Sequence, residues 1–169
     1  LASFDDTLGR SAAFAEPTPY EEVRDFFHFV DNYIHELDKA AEELAARLDI
    51  PERDPAAALI GHLEKRHGVQ TAHGPSQDDT LRRFDPERRI LHLNPFSPVP
   101  TRSFQAAFQI GEMEMAPVIS GIVESAAFRT PEAMEICRIG LANYFAGALL
   151  MPYEAILSSA HELRHDLEL

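Results

Sequence analysis

The fold is decided by residues 131–152, which read PEAMEICRIGLANYFAGALLMP. Thr130 immediately before Pro131 predicts a helix start, because threonine is a common N-cap and proline is tolerated in the first turn. Apolar side chains cover most sides of the segment, and the closing Met-Pro pair predicts its end. A helix that is apolar on most sides is buried by its neighbours. We therefore expect a central helix over residues 131–150.

The most regular periodicity follows residues 18–21 (Thr-Pro-Tyr-Glu), which predict a helix start with a capping box. Apolar residues then recur at alternating spacings of four and three, which is a period of about 3.5. They are Val23, Phe27, Val30, Ile34, Leu37, Ala41, Leu44 and Leu48. We expect one helix over residues 19–48, about 45 Å long. The stripe fits the chain's own core or the seam of a homodimer, and the pattern leaves both open.

Further helices are predicted from caps, breakers and spacing. Asp54 before a proline predicts a helix start, and Gly68 predicts where that helix ends. After a proline-rich break, aromatic and small residues share one face over residues 101–116. A last helix is expected over about residues 152–167.

A small sheet is predicted between these helices. Residues 69–73 can form a strand. The turn-forming residues 85–88 (Asp-Pro-Glu-Arg) lie between residues 81–84 and 89–93, which predicts a β-hairpin. The expected fold class is α+β and mostly α, with a small antiparallel sheet and one long N-terminal helix.

Length and composition limit the possible function. The 169 residues fit one domain, with residues 1–17 as a linker or arm and residues 18–169 as the domain proper. Lys+Arg 15 against Asp+Glu 28 gives a net charge of −13, which repels the phosphates of DNA. No apolar run approaches the ~20 residues that span a bilayer. We expect a cytoplasmic piece of a longer protein.

One short motif suggests metal chemistry. His161, Glu162 and His165 fit the pattern HExxH, in which two histidines on one helix face bind zinc and the glutamate acts as general base. A zinc-dependent endopeptidase is therefore one hypothesis. The cationic Arg164 beside the second histidine favours the simpler interpretation, an amphipathic surface helix. Cys137, the single cysteine, has no predicted base beside it and is expected to be buried and structural.

Arginines form a cluster in an otherwise acidic chain. They are Arg82, Arg83, Arg88, Arg89 and Arg102. Guanidinium groups around a hairpin are suited to holding the phosphates of a small ligand. The alternative is a solvated hairpin paired with the acidic face of the long helix.

The end of the central helix carries a resemblance to a known family. Residues 141–152, LANYFAGALLMP, resemble the signature EAN-x-FA-x-x-LLMP of IrrE-type (ImmA/IrrE) zinc-peptidase domains. Residues 103–112, SFQAAFQIGE, take the place of that family's helix motif RFxxAHExGH. The resemblance implies a zincin-like scaffold.

The same resemblance implies that the metal site is degenerate. Phe108 and Glu112 stand where the family has its two metal-binding histidines, and Gln109 stands at the general base. Leu141 replaces the third ligand, a glutamate. The resemblance thus implies no catalytic residue at these positions, and we expect the chain to bind no stoichiometric zinc or other metal and to have no cofactor.

Four further segments are similar to short-chain fatty acyl transcriptional regulators of the XRE helix-turn-helix class. These segments are residues 19–34, 81–85, 104–109 and 163–169. The similarity implies an effector-sensing and oligomerising domain of a regulator of propionate or acetate metabolism. It further implies a homodimer, DNA contact through a separate helix-turn-helix domain, and no membrane. A purely structural dimerisation module is the remaining alternative.

The resemblance also implies the class of effector, a short-chain acyl-coenzyme A or a related carboxylate. We expect it in the cleft left by the lost metal site, an apolar pocket with a few polar groups. The expected ligand-binding residues are Phe27, Tyr33, Arg102, Phe104, Phe108, Asn143 and Tyr144.

Overall fold

The structure, a computed structural model, describes residues 16–51, 53–72 and 80–151. These residues form six helices and a three-stranded sheet, which confirms a mostly α member of the α+β class. The elements are, in chain order, α1 (Pro19–Phe29), α2 (His35–Leu48), α3 (Pro55–His67), β1 (Gln70–Ala72), β2 (Arg82–Asp85), β3 (Ile90–Leu93), α4 (Val99–Glu114), α5 (Ala116–Ala126) and α6 (Pro131–Leu150). Most of the predicted arm and the predicted last helix lie outside the described residues, as does the motif at residues 161–165.

Helix α6 is the centre of the fold, as its sequence predicts. The Thr130 hydroxyl accepts a hydrogen bond from the Ala133 N–H at 3.1 Å, so the predicted cap is present. Four helices, α1, α2, α4 and α5, pack against α6. The contact with α4 is close because Gly111 has no side chain. A Cβ atom at Gly111 would lie 2.9 Å from Cδ1 of Phe145.

The single long helix expected over residues 19–48 is wrong. The predicted capping box is present, with the Glu21 carboxylate accepting from the Thr18 N–H at 2.8 Å. However, α1 ends at residue 29 and α2 begins at residue 35. Between them Asp31 and Asn32 both adopt left-handed backbone angles, with φ of 52° and 54°. Aspartate and asparagine tolerate this region better than other residues with side chains, so this pair permits the break.

The apolar stripe continues through the break because both helices turn the same side toward the core. Its buried members include Val23, Ile34, Leu37, Ala41 and Leu44. Helices α1 and α2 both pack against α6. These side chains therefore serve the chain's own core, which favours the first of the two alternatives for the stripe.

The sheet has the strand order β1-β3-β2. The predicted hairpin is present, with β2 antiparallel to β3 and Phe84 opposite Leu91. Its turn is held by the Asp85 carboxylate, which accepts hydrogen bonds from two backbone N–H groups at 3.1 and 3.0 Å. Strand β1 runs parallel to β3, with Thr71 opposite Leu91. The sheet is therefore mixed rather than antiparallel, since alternation predicts a strand but not its direction.

The region after the sheet holds two helices where the sequence predicted one. Helix α4 starts two residues before the expected residue 101, with Pro100 in its first turn. It ends at residue 114, and Pro117 lies in the first turn of α5. Proline is compatible with a first turn, and a second helix therefore begins here. Across the described ranges, no helix is long and apolar enough to cross a membrane.

Candidate functional site

The positions that the resemblance assigns to a degenerate metal site lie on two packed helices. Phe108, Gln109 and Glu112 belong to α4, and Leu141 belongs to α6. Phe108, Gln109 and Leu141 are buried, and Gln109 is only 2% exposed. Glu112 is exposed. The three positions on α4 are brought together by a residue from the sheet.

That residue is Arg82 of β2. Its Nη1 donates hydrogen bonds to the side-chain oxygen of Gln109 and, at 3.1 Å, to Oε2 of Glu112. Its Cζ lies 4.4 Å from the centroid of the Phe108 ring. A single guanidinium therefore contacts all three α4 positions.

This arrangement supplies a permanent positive charge but no catalytic group. The Arg82 side chain is only 19% exposed, so its contact with the ring of Phe108 is partly desolvated and correspondingly stronger. Gln109 has no proton to exchange near neutral pH and cannot act as a general base. A guanidinium offers donors only, so it cannot coordinate and activate a water molecule as a metal does.

Neither interpretation of the arginine cluster describes Arg82 correctly. It pairs with α4 and not with the first two helices. Arg89 donates to the main-chain oxygen of His67 at 2.5 Å, and Arg102 donates to that of Pro95 at 3.2 Å. Arg82, Arg89 and Arg102 therefore make three separate contacts within the fold.

A large cavity lies elsewhere, between α1, the α1–α2 connection and α5. It is an open groove of about 1070 Å³. Its apolar wall includes Phe26, Phe29, Val30, Tyr33, Val118 and Phe128. Phe29 is 86% exposed, an unusual state for a phenylalanine. The sequence did not predict this groove because one wall is α5, a helix that was not expected.

The groove contains an incompletely paired carboxylate. The Arg129 Nε lies 3.6 Å from Oε1 of Glu22, whose side chain is 10% exposed. The other oxygen, Oε2, is buried and has no hydrogen-bond partner in the described part of the chain. Buried polar atoms are normally hydrogen-bonded, so this oxygen is an exception beside the groove, and the contact of Glu22 with Arg129 is made by its other oxygen.

The expected ligand-binding residues are distributed over several places. Tyr33 lines the groove, and the other six are not among its described lining residues. Phe27 stacks edge-to-face on Phe26 with centroids 5.4 Å apart, so it supports the groove from behind. Asn143 is exposed on α6. Phe104, like Phe108 and Arg102, belongs to α4.

Tyr144 holds the groove's connecting segment in place. Its hydroxyl accepts from the Ile34 N–H at 3.1 Å and donates to the Asp38 carboxylate. Ile34 is the N-cap of α2 and provides no side-chain cap, so Tyr144 substitutes for one. Burial, together with the hydrogen bond to Asp38, raises the pKa of Tyr144 to about 12. The hydroxyl therefore stays protonated and acts as a fixed donor.

Cys137 is buried, as the sequence predicts. Burial raises the pKa of its thiol to about 11. Because the thiolate is the reactive form, this cysteine is unreactive near neutral pH.

Comparisons with known proteins identify the family and several relatives. The model of a peptidase family described as the IrrE N-terminal-like domain matches residues 64–169. The Propionyl-CoA carboxylase regulator of Cereibacter sphaeroides is 41% identical, covering 99% of this chain and 35% of the relative. The HTH-type transcriptional regulator PrpR of Mycobacterium tuberculosis is 37% identical, covering 92% and 32%. The chain spans about a third of the length of these curated relatives.

A solved structure supports the same relationship. A Mycobacterium tuberculosis transcriptional regulator is 36% identical and superposes with a TM-score of 0.83. The match covers 90% of this chain and 46% of that one.

Proposed function

Because the chain belongs to the family of IrrE N-terminal-like domains, we propose that it is the effector-sensing domain of a cytoplasmic transcriptional regulator of short-chain fatty acid metabolism. The proposal rests on one observation: the guanidinium of Arg82 contacts three of the four positions assigned to the degenerate metal site. We infer that a scaffold with this arrangement binds a ligand and does not hydrolyse peptides. Two relatives named as regulators, of a carboxylase and of transcription, support this role.

The proposal includes the absence of peptidase activity. We expect the whole chain, supplied with zinc, to leave an unfolded protein substrate intact. The competing hypothesis uses His161, Glu162 and His165. Zinc-dependent cleavage that disappears in Glu162→Gln would establish that hypothesis and contradict ours.

The effector is a short-chain acyl-coenzyme A. One relative is named as a regulator of propionyl-CoA carboxylase. We expect a regulator of such an enzyme to bind the acyl thioesters on which the enzyme acts. From the sequence we expected the effector in the cleft of the lost metal site. In the structure the side chain of Arg82 occupies those positions, where it contacts Gln109 and Phe108. The groove beside Tyr33 is therefore the better site. Its volume of about 1070 Å³ lies at the upper end of ligand pockets.

The chemistry of the groove fits different parts of this effector. The aromatic wall suits the acyl chain and the pantetheine arm, and Glu22 holds Arg129 beside the groove through its Oε1. Arg129 is 62% exposed at the rim, where it can meet a phosphate. Asp25 is neutralised by Arg24 at 2.8 Å. Each acyl CH₂ adds only about 0.8 kcal/mol, so acetyl and propionyl thioesters should bind similarly.

Calorimetry with propionyl- and acetyl-coenzyme A tests the proposal. We expect saturable binding to the whole chain, weakened in Arg129→Ala and in Glu22→Leu. Arg66→Ala, an exposed arginine on α3, is the matched control and should bind normally. If Arg102→Ala weakens ligand binding instead, the phosphates lie beside Arg102, as expected from the sequence. No binding to any variant or to the wild type at millimolar ligand would refute the effector class.

We further propose that the chain forms a homodimer, because regulators that read paired half-sites are two-fold symmetric. The buried stripe of α1 and α2 is already used in the core, so the dimer must use other surfaces. Light scattering at tens of micromolar measures the mass directly, and a monomer under these conditions would contradict the proposal for this chain.

A further inference from the structure

Two histidines and a glutamate from different helices converge at one end of α4. The Nε2 atom of His62 lies 2.6 Å from Oε1 of Glu114, and the Nε2 atom of His67 lies 2.8 Å from the same oxygen. The two rings meet edge to face with centroids 6.0 Å apart. All three donor atoms lie within 4.8 Å of one another. Without an ion, this cluster is a hydrogen-bonded clamp between α3 and α4.

We propose that this cluster is a zinc site. Two imidazoles and one carboxylate form a ligand set that zinc uses in proteins, with a fourth position for water or another ligand. Zinc binds these donors at about 2.0–2.2 Å, so the three atoms need to separate only slightly to admit an ion between them. The site is independent of the effector proposal.

The surroundings already hold the ligands in position. The three side chains are only 12–18% exposed, so little ordering is left for the ion to impose. His67 is the last residue of α3, and its main-chain oxygen accepts from Arg89. Gly68 follows in a left-handed conformation, with φ of 63°, that ends the helix. Burial alone would raise the pKa of Glu114, but hydrogen bonds from His67 and His62 and the charge of both rings outweigh it and lower that pKa.

This site is distinct from the degenerate metal positions. Glu112 and Glu114 are two residues apart on a helix, which turns about 100° per residue, so they lie on nearly opposite faces. Glu112 faces Arg82, and Glu114 faces α3. The scaffold has therefore lost one metal-ligand set and gained another on the other side of α4. From the sequence we expected no metal, because the family's ligand positions are occupied by other residues. His62, His67 and Glu114 form no sequence motif and were therefore not considered.

Zinc titration of the tag-free whole chain, after treatment with a chelator, tests the site. Every protein carries His161→Gln and His165→Gln, which removes the other candidate ligands. We expect about one zinc per chain, bound at least about tenfold more weakly in His62→Gln and in His67→Gln. His28→Gln, an exposed histidine on α1, is the matched control and should leave the affinity unchanged. Absence of zinc binding, or unchanged affinity in both ligand variants, overturns the proposal.

X-ray absorption of the zinc-loaded parent protein keeps the test independent of how the variants fold. Two imidazoles with oxygen ligands support the site. A shell with one imidazole or none overturns it. Circular dichroism of each variant confirms that weaker zinc binding does not reflect unfolding.

Discussion

The guanidinium of Arg82 lies over the ring of Phe108, with its Cζ 4.4 Å from the centroid. One residue comes from a hairpin and the other from a helix 26 positions along the chain. Their contact joins the sheet to α4 at positions that the family resemblance assigns to a lost metal site. On that assignment, the guanidinium supplies a positive charge where the resemblance places an ion.

We expect Arg82→Ala to lower the free energy of unfolding by about 1–3 kcal/mol, because Gln109 loses a buried hydrogen bond and Phe108 loses its cation. Urea denaturation measures the change. Arg83→Ala, its exposed neighbour on β2, should change stability by less than about 0.5 kcal/mol. Equal effects of the two substitutions would mean that the Gln109 and Phe108 contacts contribute nothing.

We expect Tyr144→Phe to destabilise the chain by about 1–2 kcal/mol, because it removes the donor to Asp38 and the acceptor for the Ile34 N–H while keeping the ring. Amide exchange at Ile34 should accelerate as well. Tyr20→Phe removes an exposed hydroxyl and is the control. Unchanged exchange at Ile34 would contradict the capping role of Tyr144.

The free energy of unfolding should decrease in acid because Glu114 becomes protonated. Its pKa is lower in the folded chain than its ordinary value of 4.5, so this carboxylate stabilises the fold above that value. The contribution is lost progressively as the pH falls below 4.5 through the folded pKa. Chelator-treated wild type should lose stability over this range more steeply than Glu114→Gln, as measured by thermal unfolding at each pH. Identical pH profiles would contradict the assignment.

Gly111→Ala should destabilise the chain by about 1–3 kcal/mol, because its Cβ would meet Phe145 at 2.9 Å in the contact between α4 and α6. Gly61→Ala is the matched control. A Cβ at Gly61 meets no described atom within 4 Å, and alanine favours a helix by about 0.5–1 kcal/mol. Opposite signs are expected in thermal unfolding, and a neutral Gly111→Ala would show that the two helices can separate slightly.

The parts of the fold that were predictable depend on local chemistry. The cap at Thr130 and the hairpin turn at Asp85 are properties of short segments, and both are present. The break at Asp31 and Asn32 was not predicted, because the spacing of apolar residues shows only which side of a helix faces the core. Two consecutive helices that face the same core therefore give the same apolar spacing as one long helix.

The site was predictable only in part. The resemblance assigned the family's lost ligands to positions in the sequence, and the structure places three of these on α4 and one on α6, with Glu112 exposed and the other three buried. The residue that replaces the ion could not be assigned. Arg82 is one of five arginines in its region, and its partners Gln109 and Glu112 depend on how the hairpin docks. The cluster at His62, His67 and Glu114 likewise exists only after α3 packs against α4.

The parallel pairing of β1 with β3 implies an order of assembly. Phe84 pairs with Leu91 only seven residues along the chain, whereas Thr71 must find the same residue across twenty. The entropy of closing a loop rises with its length, and local hairpins form within about 1–10 μs. We expect the hairpin to fold first and then serve as the template on which β1 aligns. Since α3 ends just before β1, we expect the two to dock together, so that the step that aligns β1 also brings the two histidines to Glu114.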